Sequence, residues 1–241
     1  MKHNYKTSSR LFQKFFIGLF AAWLLLPHLA YAQNSDNETD AEKHILAWKD
    51  AVKNAMIISN IEEHKANASY KFNACFLVDD SCVASSEAYR DEFKKITFYY
   101  APGKLSVPIN HVTFYLSLED NSMPEAIMRF VYFGEDWLDF DKVAVLVDNE
   151  IVFEQTIPPE QIRKEATAMS QVYEIGDIKM TPHLDVIEKI AQGTDLAVRM
   201  SGKSRGSYLD KQMLYTMRLQ AEEILTMYGV LNDALVKGGE E

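Results

Sequence analysis

The chain has 241 residues, 47% of them hydrophobic, and a formal charge of −10. So much apolar material can build a proper core, which excludes wholesale disorder through the middle and end of the chain. An excess of acid repels nucleic-acid phosphate and anionic lipid, and no basic run offsets it, so direct nucleic-acid binding is not expected.

The first residues carry Lys2, Lys6, Arg10 and Lys14 and no acid, and an apolar stretch follows from Phe15 to Leu26. Pro27 ends that stretch, and Ala30-Tyr31-Ala32 places small residues at both cleavage-specifying positions. Basic, apolar and small-residue regions in this order predict a secretory signal peptide over residues 1–32, cut between Ala32 and Gln33. Twelve apolar residues rise only about 18 Å as a helix, against a hydrocarbon core of roughly 30 Å, so no stable membrane anchor is expected after cleavage. Gln33 stands where a bacterial lipoprotein would have its lipid-bearing Cys. The expectation is a soluble periplasmic or secreted protein. The signal takes with it 4 of the 25 basic residues and none of the 35 acidic ones, which leaves 209 residues with a formal charge of −14.

Both cysteines, Cys75 and Cys82, lie beyond the cleavage site. In an oxidising compartment two close cysteines are expected to form a structural disulfide around the turn Asp79-Asp80-Ser81. Six residues separate them, whereas a redox-active pair usually has two between.

In chain order, Gln33 to Asp40 is polar and reads as a flexible leader. From Ala41 to about Ala66 the apolar residues, among them Ile45, Trp48, Val52 and Met56, step by three and four. That predicts a long amphipathic helix capped by Asp40. The centre is strand-rich, with Ser69–Val78, Ile96–Tyr100, Val112–Leu118 and Ile127–Phe133, and a short helix expected over Ser86–Lys95. Val143–Val147 and Ile151–Thr156 flank Asp148-Asn149-Glu150, the clearest hairpin in the sequence. Helices are expected over Glu160–Met169 and after Thr181-Pro182, the latter closed by Gly193. Leu196–Met200 reads as a final strand, Ser201–Ser207 as a turn, and Leu209–Val236 as a long terminal helix.

Strands in the middle and helices at both ends predict an α+β fold. A largely antiparallel central sheet would carry a long N-terminal and a long C-terminal helix packed on it, in a single domain over residues 41–236 with a disordered tail at 237–241. The segments DFDKVAVLVDNEIVFE and IAQGTDLAVRMSGKSRGSYLDKQM resemble a pattern in small bacterial secreted proteins of unknown function. There a hairpin, a short helix, a strand ending in Arg and Gly, and a terminal helix recur. The likeness spans about Phe140 to Tyr228; it implies an order of elements and assigns no functional residue.

Several motifs invite chemistry. Ala197 to Ser204 fits a relaxed phosphate-binding pattern, with Asp148 at the end of an apolar strand as a magnesium aspartate. Leu196–Met200 alternates like a strand, however, where a phosphate cradle needs a flexible loop, and Asp148 lies upstream instead of downstream. Gly202 and Gly206 then serve a strand-to-helix turn. His44, His64, His111 and His183 have no paired ligand spacing. Glu135, Asp136, Asp139 and Asp141 are acidic enough for calcium but lack the spacing of a dedicated loop. Met200, Met213 and Met217 suit Cu(I) by softness, yet methionines at helical spacing usually fill cores. No cofactor or metal is expected, and no G-x-S-x-G or other nucleophile motif occurs.

Aromatic residues crowd the central strands. Alternation places every second ring on one sheet face, and Tyr99, Tyr115, Tyr132 and Trp137 form the candidate exposed aromatic surface. The functional expectation is an exported, non-enzymatic binding or envelope accessory module whose partner is a protein or small ligand of the envelope. The alternative is a hydrolase of cell-envelope or extracellular material with scattered catalytic residues.

Overall fold

A computed structural model describes residues 40–102, 110–168, 170–202, 208–212 and 214–238. The signal peptide with its Ala32–Gln33 cleavage point, the leader up to residue 39, and Met213 lie outside the described residues.

Helix α1 spans Asp40–Ala55. It stops well short of Ala66, because the chain turns at Met56 into strand β1, Met56–His64. Ile57-Ile58 brings two adjacent β-branched residues, which lose side-chain freedom in a helix and fit a pleated strand. Asn60, at φ 52°, then takes the left-handed conformation that a short amide tolerates and a continuing helix forbids. Trp48 fixes α1 from the side, its indole N–H donating to the Ser122 carbonyl at 2.9 Å.

Strands β2 (Ser69–Val78), β3 (Ser81–Asp91), β4 (Ile96–Tyr100), β5 (His111–Glu119) and β6 (Glu125–Gly134) follow as an antiparallel meander. Of the helix expected over Ser86–Lys95, Ser86–Asp91 is instead the second half of β3 and Glu92–Lys95 is the turn into β4. Ala84, Ser86 and Ala88 are buried while Glu87 is exposed, a period of two written in small residues that a search for large apolar ones overlooks. Strands β7 (Phe140–Val147) and β8 (Glu150–Thr156) form the expected hairpin. A 3₁₀ turn at Pro159–Gln161 and strand β9, Ile162–Ala166, replace the helix expected over Glu160–Met169. Backbone pairing of β9 with β10, Val172–Lys179, wins there over local helix propensity.

Thr181-Pro182 opens a 3₁₀ turn that leads into α2, Leu184–Gln192, and Gly193 ends it. A Cβ at Gly193 would fall 2.5 Å from a Val147 methyl. Strand β11, Leu196–Gly202, is followed by β12, Tyr208–Gln212, and then by α3, Leu214–Gly238. The segment expected as the start of the terminal helix therefore begins as a strand, and α3 continues through Lys237 and Gly238, where the tail was expected to start.

The architecture is α+β with a large antiparallel sheet. Eight strands run in the order β1-β2-β3-β4-β5-β6-β10-β9, and a second sheet of four runs β12-β11-β7-β8. Residues 46–241 form one compact unit. Its core joins the inner face of the large sheet (Phe72, Phe76, Phe114, Leu116, Met128, Phe130) to Val143 and Val145 of the small one. It also takes in the buried stripe Met217, Ala221, Ile224, Met227 and Leu231 of α3. Helix α3 packs against β5, β3, β2 and β6.

Candidate functional site: an aromatic sheet face beside a groove

Period-two alternation sends one set of side chains from the large sheet into the core and the other set to the opposite face. That outer set is aromatic on five neighbouring strands. Tyr89 of β3 stands opposite Phe98 of β4, Tyr100 opposite Tyr115 of β5, and Phe133 of β6 opposite Tyr173 of β10. The Tyr115 ring centre lies 5.9 Å from that of Phe98 and 5.4 Å from that of Tyr100, and Phe133 and Tyr173 meet at 4.8 Å. Tyr89, Phe98, Tyr100, Phe133 and Tyr173 are half-buried. Tyr115, Ile127 and Val131 are buried between them, outside the main core.

Arg129 sits at the centre of this face. Its guanidinium lies 4.8 Å above the Tyr115 ring and grips Asp177 through two hydrogen bonds of 2.6 and 2.7 Å. A bidentate pair stacked on an aromatic ring uses both the fork and the plane of arginine. Burial opposes the Arg129 charge, but the hydrogen bonds to Asp177 outweigh it and hold the guanidinium firmly protonated. Burial likewise pushes the Tyr115 and Tyr100 hydroxyls up from the ordinary tyrosine range, so both stay neutral hydrogen-bonding groups. The face therefore offers flat apolar rings with neutral hydroxyl edges and a neutralised arginine.

Beside these rings, across β1 to β4, lies an open groove of about 530 Å³. Ser59, Asn73, Cys75 and Ser85 line it with small side chains, and Ile57 and Tyr100 stand at its two ends. Two of its polar side chains, Glu87 and Ser86, have partners within the protein. The Glu87 carboxylate accepts Lys71 Nζ at 2.9 Å, and the Ser86 hydroxyl donates to the Tyr100 carbonyl at 3.0 Å. Neither serine nor glutamate is set up as a nucleophile–base pair, which needs a hydroxyl in reach of an unengaged base.

The four aromatic residues expected to be exposed are distributed differently. Tyr99 is only 3% exposed and points into the core, edge-on to Phe72 and Phe76. Tyr115 belongs to the outer face but is 4% exposed, roofed by Arg129. Tyr132 is on the inner side, its hydroxyl donating to the Asp136 carbonyl at 3.0 Å. Trp137 is half-buried in the β6–β7 connection, 5.6 Å from Lys164 Nζ. On β4 the outward rings are Phe98 and Tyr100, the neighbours of Tyr99, whereas on β5 Tyr115 does face outward.

Cys75 and Cys82 are joined as a disulfide with their Cα atoms 5.7 Å apart. Asp148 is not aimed at a phosphate. One carboxylate oxygen accepts the Thr194 N–H at 3.0 Å, the Thr194 hydroxyl at 2.7 Å and the Asp195 N–H at 2.9 Å, closing the turn between α2 and β11. Gly202 lies within β11 and permits close packing: a Cβ there would stand 1.8 Å from the Leu138 carbonyl oxygen. Residues 203–207, the remainder of the phosphate-loop pattern, lie outside the described residues. Among the acids of the β6–β7 connection, Asp139 is paired with Lys164. Among the described residues no group of three or more His, Cys, Asp or Glu converges on a common point. Met200 and Met217 are core residues, 2% and 0% exposed, and His183 packs edge-on against Phe153.

Sequence reasoning missed Glu174, Arg129 and Asp177. An acid inside an otherwise alternating strand is the only local signal at Glu174; its partners are main-chain groups 34 and 35 residues away. Comparison with protein-family models gives no match, and comparison with curated proteins gives no significant relative.

Proposed function

We propose that the chain is an exported, non-catalytic binding module of the cell envelope that uses the outer face of its large sheet. The observation that carries this reading is the set of half-buried rings on four strands, Tyr89, Phe98, Tyr100, Phe133 and Tyr173, joined across β5 by the buried Tyr115 on the side opposite the core. Rigid aromatic side chains give contact area at little cost in conformational entropy, and their hydroxyl edges add hydrogen bonds. The Cys75–Cys82 disulfide supports export, since such bonds persist where thiols oxidise. Among the described residues no helix is long and apolar enough to cross a membrane. The engaged state of Glu87 and Ser86 favours binding over hydrolysis.

A photo-crosslinking residue at Tyr100, compared with one at Phe93, tests the reading; Phe93 is 82% exposed and lies in the β3–β4 turn. A specific envelope component should be captured from position 100 and not from 93, with capture lost on Phe98→Ala. Equal capture from both positions, or turnover of envelope polymers by the purified chain, would refute it.

A further inference from the structure

Side chains on the outer face of the large sheet fall into two lines that run across the strands. Ser59, Asn73, Glu87 and Tyr100 stand opposite one another on β1, β2, β3 and β4. Two residues along each strand, Lys71, Tyr89 and Phe98 form the second line on β2, β3 and β4. Strands lie about 4.8 Å apart, so the first line is a track of roughly 14 Å along the groove. Ser59, Asn73 and Glu87 are exposed in it, and the Tyr100 ring is half-buried at its end. Charge is cancelled on this face, although the chain as a whole carries −10. Among the described residues its cations are Lys71, Arg129, Arg163 and Lys179, and each lies within 2.9 Å of an acid of the same face.

We infer that this track binds an uncharged oligosaccharide, laid across the strands with its sugars on the Tyr100, Phe98 and Tyr89 rings. The inference rests on the binding reading above and names the ligand class. An aromatic face is negative and attracts the C–H face of a sugar ring. Serine, asparagine and glutamate side chains between them donate and accept, as a row of hydroxyl groups requires. An extended β-linked glycan advances per sugar by close to the strand spacing, so successive hydroxyls meet successive strands. Other occupants fit less well. An anionic polymer meets cations that are already paired, on a chain with an excess of acid. An extended peptide adds to a sheet through backbone groups at an edge, and this track crosses the middle of a face. An acyl chain would have to strip water from the exposed Ser59, Asn73 and Glu87 without replacing its hydrogen bonds.

The test is affinity electrophoresis of the purified, disulfide-bonded chain in native gels that carry hydroxyethyl cellulose, mixed-linkage β-glucan or galactomannan. Carboxymethyl cellulose is the charged counterpart of the first. At least one of the three uncharged polymers should retard the chain, and carboxymethyl cellulose should not. Phe98→Ala should raise the dissociation constant by about tenfold or more. Asn73→Ala, at an exposed position clear of the core, should raise it by about threefold or more and gives the reading should Phe98→Ala unfold. Phe93→Ala, in the β3–β4 turn, should stay within about twofold of wild type. No retardation by any uncharged polymer overturns the inference. The binding reading then stands if position 100 still crosslinks to an envelope component, and falls with it if nothing is captured. Equal retardation by carboxymethyl cellulose, or retardation indifferent to both Phe98→Ala and Asn73→Ala, also overturns the inference.

Discussion

Glu174 holds the turn at Asp139 through two consecutive main-chain groups: one carboxylate oxygen accepts the Asp139 N–H at 2.7 Å and the other accepts the Phe140 N–H at 2.9 Å. Asp139 is left-handed, at φ 52°, and that conformation turns both N–H groups to the same side. Phe140 begins β7 of the small sheet and Glu174 sits in β10 of the large one, so this fully buried carboxylate joins the two sheets. Glu174→Ala would strand two inward-facing N–H groups and should cost about 3 kcal/mol, the usual penalty for orphaning charge-assisted bonds. Glu174→Gln keeps one acceptor but sets an amide N–H₂ against a backbone donor, and should lose a smaller part. Urea unfolding of the two variants measures both; a loss below about 1 kcal/mol for Glu174→Ala would show that the sheets hold together without it.

Asp148 gives the protein an acid-sensitive corner. The hydrogen bond from the Thr194 hydroxyl, followed by those from the Asp195 and Thr194 N–H groups, lowers the Asp148 pKa below its ordinary value. A carboxyl whose pKa is lowered by folding adds stability above its unfolded value of about 3.9, and loses it as pH falls through the lower folded value. Asp148→Gly removes the carboxylate while leaving a residue content at φ 49°. Its melting temperature should lie below that of wild type at neutral pH, and the gap should close as pH falls below about 4. A gap that stays constant with pH would assign the effect to the glycine.

The hairpin β7–β8 and the run from Thr181 to Gly193 were legible because local signals agreed: β-branched alternation around a polar turn, and a proline start with a glycine stop. The ends of α1 and the whole of β3 were not. Residues 51–59 satisfy a helical period and a strand at once, and tertiary pairing with β2 decides between them. In β3 the inward residues are Ala84, Ser86 and Ala88, too small to register as a hydrophobic face; Ala88 stands between Phe72 and Tyr99, whose rings meet edge-on. For the candidate site, the sequence showed that aromatic residues alternate, but which ring of each pair faces outward depends on strand register. A shift of one residue inverts the answer.

Gly202 marks where the small sheet's β11 meets the chain entering β7. Because a Cβ would stand 1.8 Å from the Leu138 carbonyl oxygen and 2.8 Å from its carbon, the obstacle is backbone and cannot swing away. Gly202→Ala should cost about 2–3 kcal/mol by forcing the two segments apart. Gly229 serves as the control, since a Cβ there meets nothing within 4 Å, and Gly229→Ala in the middle of α3 should be stabilising by up to about 1 kcal/mol. Thermal melts of the pair should move in opposite directions; a tolerated Gly202→Ala would mean that the Leu138 segment is not fixed against β11.

The disulfide and the turn that it encloses act on the same hairpin. Between β2 and β3 the chain reverses at Asp79 and Asp80, with φ 46° and 60°, the paired left-handed conformation of the tightest hairpin turns. Asn-Gly suits that geometry best, and two aspartates bear both the conformational cost and mutual repulsion. Cys75–Cys82 closes the ring around this unfavourable turn, and removing it through Cys75→Ser with Cys82→Ser should cost about 2–3 kcal/mol on loop entropy. Adding Asp79→Asn and Asp80→Gly to the cysteine-free chain should return about 1 kcal/mol, because the turn then forms without the staple. In the oxidised wild type the same turn change should return less, since the ring already restricts the unfolded hairpin. Denaturant midpoints for the four combinations measure this coupling; strictly additive effects would mean that the bond and the turn stabilise the hairpin independently.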